Sequence, residues 1–217
     1  TYRGSGINAR VVLTNDSPDV AVTSQNSTQS ENSIFVNPNN NDNVLNSNNS
    51  TENPVGNLFG ANDFFSFDGG LSWGGELQGA GGENQGDPAA VIGVNGRYYV
   101  GQIKNDGQAV AYSDDQGSTW TPAIQVAPGP PGFNSLLDKN HLWIDNSMSS
   151  IFNGNLYDAW TNFGGSNDSE IEISVSTNNG ESWSSPVNIS SAVNAGSHNQ
   201  GVNINTGPNG EVYVVWT

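Results

Sequence analysis

Four short polar segments stand immediately before apolar, strand-like runs, and each brings an ionisable side chain to a comparable place. They read Ser30-Glu31-Asn32, Gln85-Gly86-Asp87, Asp138-Lys139-Asn140 and His198-Asn199-Gln200. If the runs pack side by side around a common centre, Glu31, Asp87, Asp138 and His198 gather at one end of it. Side chains so placed could hydrogen-bond a polyhydroxylated ligand. Asp87 and Asp138 could also help to hold Ca²⁺, a hard cation that takes about six to eight oxygen ligands. The plainer alternative is that all four residues cap strand ends and solvate a rim. No segment has the compact acidic alternation of an EF-hand. His141 and His198 lack the paired spacing of a zinc site, and a lone His at a strand start is usually a hydrogen-bonded structural residue.

What must position these residues is a repeat. Ser66-Phe67-Asp68-Gly69-Gly70-Leu71-Ser72-Trp73 is followed by Ser113-Asp114-Asp115-Gln116-Gly117-Ser118-Thr119-Trp120 and by Ser176-Thr177-Asn178-Asn179-Gly180-Glu181-Ser182-Trp183. The shared template is Ser-x-Asp/Asn-x-Gly-x-Ser/Thr-Trp. It reads as a tight hairpin. Asp68, Asp115 or Asn178 accepts backbone N–H groups just ahead of it, and Gly70, Gly117 or Gly180 supplies a positive φ. The hydroxyl residue ties the second arm, and Trp73, Trp120 or Trp183 opens the returning strand and buries its ring against the next layer. Ser66, Ser113 and Ser176 anchor the first arm.

These motifs resemble the Asp box, or bacterial neuraminidase repeat, of sialidase-like β-propellers, and the resemblance runs from about Ser30 to the C-terminus. It implies blades of four antiparallel strands with each box at the turn between the third and fourth strand, on the outer rim and away from any substrate. The third copy departs from the family with Asn178 in the Asp position, and Asn can still cap the turn. A sialidase also needs three arginines to clamp the substrate carboxylate, a Tyr–Glu nucleophile pair and an Asp acid/base. The chain has three arginines in all. Arg3 and Arg10 lie near the N-terminus, Arg97 flanks a hairpin, and the Arg-Ile-Pro motif is absent, so no catalytic role carries over.

Composition narrows the partners. Asp and Glu number 21 against five Lys and Arg, for a net charge of −16. That balance argues against nucleic acid, which is held by basic patches. No apolar run approaches the roughly 18 residues of a membrane helix. The 33 Asn and 27 Gly favour turns and short strands, and the absence of Cys removes disulfides and thiolate metal sites. This acidic, Cys-free, Asn/Gly-rich character is similar to that of large exported proteins of Gram-negative bacteria, notably the Bacteroidota.

Residues 1–29 read as an N-terminal arm or a blade-completing strand, with apolar runs at Ala9–Leu13 and Val20–Val22. Blades are predicted over about 30–79, 80–127 and 133–192, with a partial one over 198–217. Box tryptophans 47 and 63 residues apart fit the period of four-stranded blades. About three and a half blades result. This predicts part of a longer polypeptide, a six- to eight-bladed propeller by resemblance, or else a four-bladed ring completed by residues 9–22. Tyr98, Tyr99, Trp143, Tyr157 and Trp160 could form a sugar-stacking platform, although alternation along strands favours packing between blades. The expected function is a secreted or cell-surface propeller that binds glycan or protein ligands, with Ca²⁺ as a candidate cofactor. The alternatives are a sialidase-type glycoside hydrolase whose arginines lie outside this chain, and a structural spacer in an adhesin.

Overall fold

The computed structural model describes residues 19–52, 58–129, 137–164, 169–194 and 196–217, and those residues contain strands and turns without a helix. Three sheets are four-stranded and antiparallel, and one is two-stranded. Blade A holds β1 (Ser27–Val36), β2 (Val44–Glu52), β3 (Leu58–Ala61) and β4 (Phe64–Ser66). Blade B holds β5 (Ala89–Ile92), β6 (Tyr98–Lys104), β7 (Gly107–Ser113) and β8 (Ile124–Pro128). Blade C holds β9 (Leu137–Ile144), β10 (Leu156–Asn162), β11 (Glu170–Ser176) and β12 (Val187–Asn188), and blade D holds β13 (Asn203–Thr206) and β14 (Val212–Val215).

The blades stack face to face because strand residues alternate between two buried faces. Along β6, Tyr98 and Val100 pack with Leu45 and Ala61 of blade A, whereas Tyr99 packs with Leu142, Leu156 and Trp160 of blade C. Tyr157, Ala159 and Ile171 then meet Val202 and Ile204 of blade D. The first strands line the centre. Ala90 N–H donates to Ser33 Oγ at 2.9 Å, and Ile204 N–H donates to His141 Nδ1 at 3.1 Å, each bond linking neighbouring blades at the same strand position. The candidate aromatic platform is this packing. Tyr98, Tyr99 and Trp160 are fully buried, Tyr157 nearly so, and Trp143 donates its indole N–H to Thr206 Oγ1 at 3.0 Å.

All three boxes form the expected turn. Ser66, Ser113 and Ser176 donate to the capping oxygen at 2.8, 2.8 and 2.9 Å. The same hydroxyls accept the N–H of Gly70, Gly117 and Gly180 at 2.9, 2.8 and 2.9 Å. Those glycines have φ of 90°, 95° and 83°. Asp68 and Asp115 accept from the Ser72 and Thr119 hydroxyls, while Asn178 reverses the bond and donates Nδ2–H to Ser182 Oγ at 2.8 Å. The turn therefore survives the loss of the carboxylate because the hydroxyl can serve as donor or acceptor. Hydrogen bonds from Ser72 hold the Asp68 carboxyl down at about 2, and those from Thr119 lower Asp115. Ser113 is buried and its hydroxyl is the acceptor for Gly117 N–H, so Ser113→Ala strands that donor. Urea titration is expected to show a loss of about 1–3 kcal/mol.

Two expectations need correction. The tryptophans do not open the returning strands. After Trp120 and Trp183 the chain first pins itself with a hydroxyl, Thr121 Oγ1 accepting Tyr112 N–H at 3.1 Å and Ser184 Oγ accepting Val175 N–H at 3.0 Å. β8 and β12 begin several residues later. Gly74 has no hydroxyl, so blade A makes a two-way backbone bridge between Phe65 and Gly74 and then forms no outer strand. Its third strand is broken at Asn62-Asp63, and the two pieces, β3 and β4, both pair with β2. Asp19–Val22 forms no strand, and Ala9–Leu13 lies outside the described residues.

Candidate functional site at the channel mouth

Within or just before each first strand one residue lies in the left-handed region: Glu31 (φ 54°), Asp87 (φ 54°), Lys139 (φ 45°) and Gly201 (φ 68°). A non-glycine residue adopts that conformation at a cost, and its recurrence at one position of several blades marks a built feature. In blade A it coincides with a shift in the β1–β2 register between Ser30 and Ser33. In blade C it coincides with a shift in the β9–β10 register between Ala159 and Thr161. Such bulges re-aim side chains at a sheet end. All four residues line one cavity of about 650 Å³, together with Asp138, Thr161, Gln200 and Thr217.

Three of the four residues singled out in the sequence therefore meet. Glu31 and Asp87 share the same left-handed backbone conformation, φ 54° in each. Asp138 lines the same cavity one position before its bulge, paired in the ladder with Thr161. His198 does not line it and lies against the Phe163 ring, centroids 5.9 Å apart. The equivalent position in blade D is Gly201, three residues on, where Gln200 and Thr217 exchange backbone hydrogen bonds of 2.9 Å.

Two contacts organise the mouth. Lys139 of blade C reaches across to Glu31 of blade A, Nζ to Oε2 at 2.9 Å, with both side chains about two-fifths exposed. Asp87 is clamped by Asn49, which donates Nδ2–H to Asp87 Oδ1 at 3.0 Å and accepts Asp87 N–H at 2.7 Å. Lys139 is the site residue that sequence reasoning passed over. It stood inside a segment already recognised and is one of only five basic residues in the chain. His141, just behind, is biased toward its neutral form. Its Nδ1 accepts a backbone N–H, and burial, with the Lys139 charge, lowers its pKa. Among the described residues no group of three or more His, Asp or Glu is arranged to hold a metal ion.

Arg97 belongs to the opposite end of blade B. It binds Asp114 bidentately at 2.7 and 2.9 Å, donates to Asn179 O at 2.9 Å and lies 3.9 Å from the Tyr112 ring centroid. It ties blade B to the third box and does not reach the mouth. Arg3 and Arg10 lie outside the described residues.

Residues 111–122, the second box, match the BNR/Asp-box repeat family. No curated protein is significantly similar to the chain in sequence. Among solved structures, a Dyadobacter fermentans protein of unknown function superposes with a TM-score of 0.60 at 15% identity over 88% of this chain and 62% of that one. An α-L-arabinofuranosidase from Fusarium graminearum gives 0.55 at 14% identity over 87% and 62%. An α-L-arabinanase from Penicillium chrysogenum gives 0.54 at 15% identity over 85% and 56%. The chain thus spans less than two thirds of each of these similar structures. Four-stranded antiparallel blades, three Asp boxes and this likeness make the chain a β-propeller fold with Asp-box repeats.

Proposed function

We infer that the chain binds glycans at the channel mouth, as an extracellular or cell-surface propeller. The observation that carries this reading is the convergence of Glu31, Asp87, Asp138 and Lys139 on one cavity, at a left-handed backbone position repeated from blade to blade. Carboxylates accept hydrogen bonds from sugar hydroxyls, and Lys139 can donate to a hydroxyl or ring oxygen. Three carboxylates against one ammonium give the mouth a negative balance, which favours neutral over sialylated sugars because like charges repel at short range. The likeness to glycan-degrading enzymes supports a sugar ligand. Calcium, where it contributes, would come to Asp87 and Asp138, the carboxylates left over by the Lys139–Glu31 pair. Water or sugar hydroxyls would then supply most of its oxygens.

A glycan array run with and without EDTA tests this reading. Neutral oligosaccharides are expected to bind and sialylated ones to be rejected. Asp87→Asn with Asp138→Asn is expected to lower affinity about tenfold or more, the effect of losing charge-assisted hydrogen bonds. Retention only of sialosides, or no difference between variant and wild type, would defeat the reading. Absence of any glycan ligand would favour the spacer role.

Glycoside hydrolysis is a second reading, favoured by the same carboxylates, since hydrolysis of this type takes an acid and a base or nucleophile on opposite sides of the bond. Turnover of an arabinofuranoside that is abolished in the double variant would establish it, and turnover of a sialoside would restore the sialidase alternative.

A further inference from the structure

Blade A lacks the outer strand that closes blades B and C, and the gap is a second cavity. It lies on the outer rim, between the glycine-rich segment after the first box and residues 117–122 of blade B, and its volume is about 740 Å³. Small-molecule sites fall in a range of about 300–1,000 Å³. Asp63, from the break in the third strand, lies in its wall and is 5% exposed. Its Oδ1 accepts Glu76 N–H at 2.7 Å, and among the described residues no donor bonds its second oxygen. The Trp120 indole N–H, in the same wall, is buried without a hydrogen-bond partner. Gly79 lets the carboxyl lie against the backbone, since a Cβ there would stand 2.0 Å from Asp63 Cγ.

Burial pushes Asp63 up to about 6, and the Glu76 charge adds to that. Glu76 is the one other titratable side chain in the lining, and no Lys or Arg is among the lining residues. Asp63 is therefore a desolvated carboxyl without a counter-cation, flanked by the partly exposed rings of Trp120 and Phe65. A neutral hydroxyl would supply a donor but leave the charge uncompensated. An ammonium group does both, and it is also attracted to an aromatic face. We propose that this rim cavity binds a protonated primary amine on a small carrier, with the ammonium on Asp63 and the carrier against Trp120 and Phe65.

Titration calorimetry of the whole chain with n-butylammonium chloride and with 1-butanol tests this directly. The amine is expected to bind at pH 7.5 and the alcohol of similar shape is not. Repeating the titration near pH 6 in two buffers of different ionisation enthalpy should show proton release, because the cation holds Asp63 ionised. Asp63→Asn keeps the acceptor for Glu76 N–H and is expected to weaken binding about tenfold or more. Ser118→Trp, at an exposed lining position, fills the cavity without touching Asp63 and is expected to abolish binding. Glu31→Gln at the channel mouth should leave it unchanged. Glucosamine binding more tightly than butylammonium, with glucose inert, would support the site and assign a sugar carrier. Equal binding of amine and alcohol, no binding of the amine by folded wild type, or full affinity in folded Ser118→Trp would overturn the proposal.

Discussion

Replacing Asp158 by Asn is expected to stabilise the protein at pH 8 by up to about 4 kcal/mol and to change it little near pH 4. Asp158 is on β10 and fully buried at the interface of blades B and C. Burial pushes its carboxyl from 3.8 up to about 7, against a smaller lowering by Asn140, whose Nδ2–H donates to Asp158 Oδ1 at 3.0 Å. The second carboxyl oxygen and Asn140 Oδ1 both lack a hydrogen-bond partner. An acid whose folded pKa is raised binds more protons folded than unfolded. Its burial costs nothing below the unfolded value, and the cost grows as the pH rises from about 4 to about 7, where the folded chain must carry a buried charge. Roughly three pH units at about 1.4 kcal/mol each set the ceiling. Asn removes the charge, keeps the acceptor for Asn140 and offers Asn140 Oδ1 the N–H it lacks. Two other groups act in this window, so the measurement is the difference between variant and wild-type urea midpoints from pH 4 to 8. Asp63, raised to about 6, acts in the same sense, whereas His141, lowered by burial, loses stability as the pH falls. Both cancel in the difference. Asp68 and Asp115 are lowered and matter only at more acid pH. A difference that stays flat across the range would show that Asp158 is ionised without penalty.

The boxes were legible because their physics is local. In Ser113–Trp120 every bond that shapes the turn spans two to four residues, so residue types at fixed spacing suffice. The mouth was only partly legible. Its ionisable residues could be seen, yet their register could not, because the left-handed position depends on where β1 and β9 slip against their partners. Asp138 and Lys139 are adjacent in the chain, and that slip decides which charge faces Glu31. The start of β1 was hidden for another reason. Ser27–Asn32 carries no apolar alternation, and β2 beside it is buried through Asn46, Ser47, Asn48, Asn49 and Ser50. Side-chain amides replace hydrophobic pattern there. Asn62 bonds both Asn48 and Ser50 from the adjacent strand break, and Ser50 Oγ donates to Gln29 Oε1 at 2.9 Å. The rim cavity depends in turn on a strand that fails to form, and its cause, the bridge at Gly74 and the seat of Asp63 on Gly79, joins residues from separate turns.

Trp160→Ala is expected to cost about 3–5 kcal/mol, a large share of the roughly 5–15 kcal/mol that holds a domain folded. Trp160 is the largest fully buried side chain and packs within the core between blades B and C. Truncation opens a void on that face and removes the indole N–H from Glu172 Oε2, a bond of 3.0 Å. Glu172 also accepts Asn162 Nδ2–H at 3.0 Å, so the carboxylate keeps one partner and the loss is chiefly of packing. Trp160→Phe is expected to restore most of the stability, leaving about 1 kcal/mol for the missing N–H bond. The pair also separates two roles for the ring. A sugar-stacking Trp would, when changed to Phe, alter affinity and leave the melting temperature alone. A Trp that welds blades lowers the melting temperature in both variants and leaves glycan affinity intact in Trp160→Phe. It also exposes blade C amides to hydrogen exchange in Trp160→Ala before those of blade A, since face-to-face packing transmits the loss first to the blades that share the void. The buried position of Trp160, directly before the mouth residue Thr161, makes welding the expected outcome and ties the rigidity of the cavity wall to the core behind it.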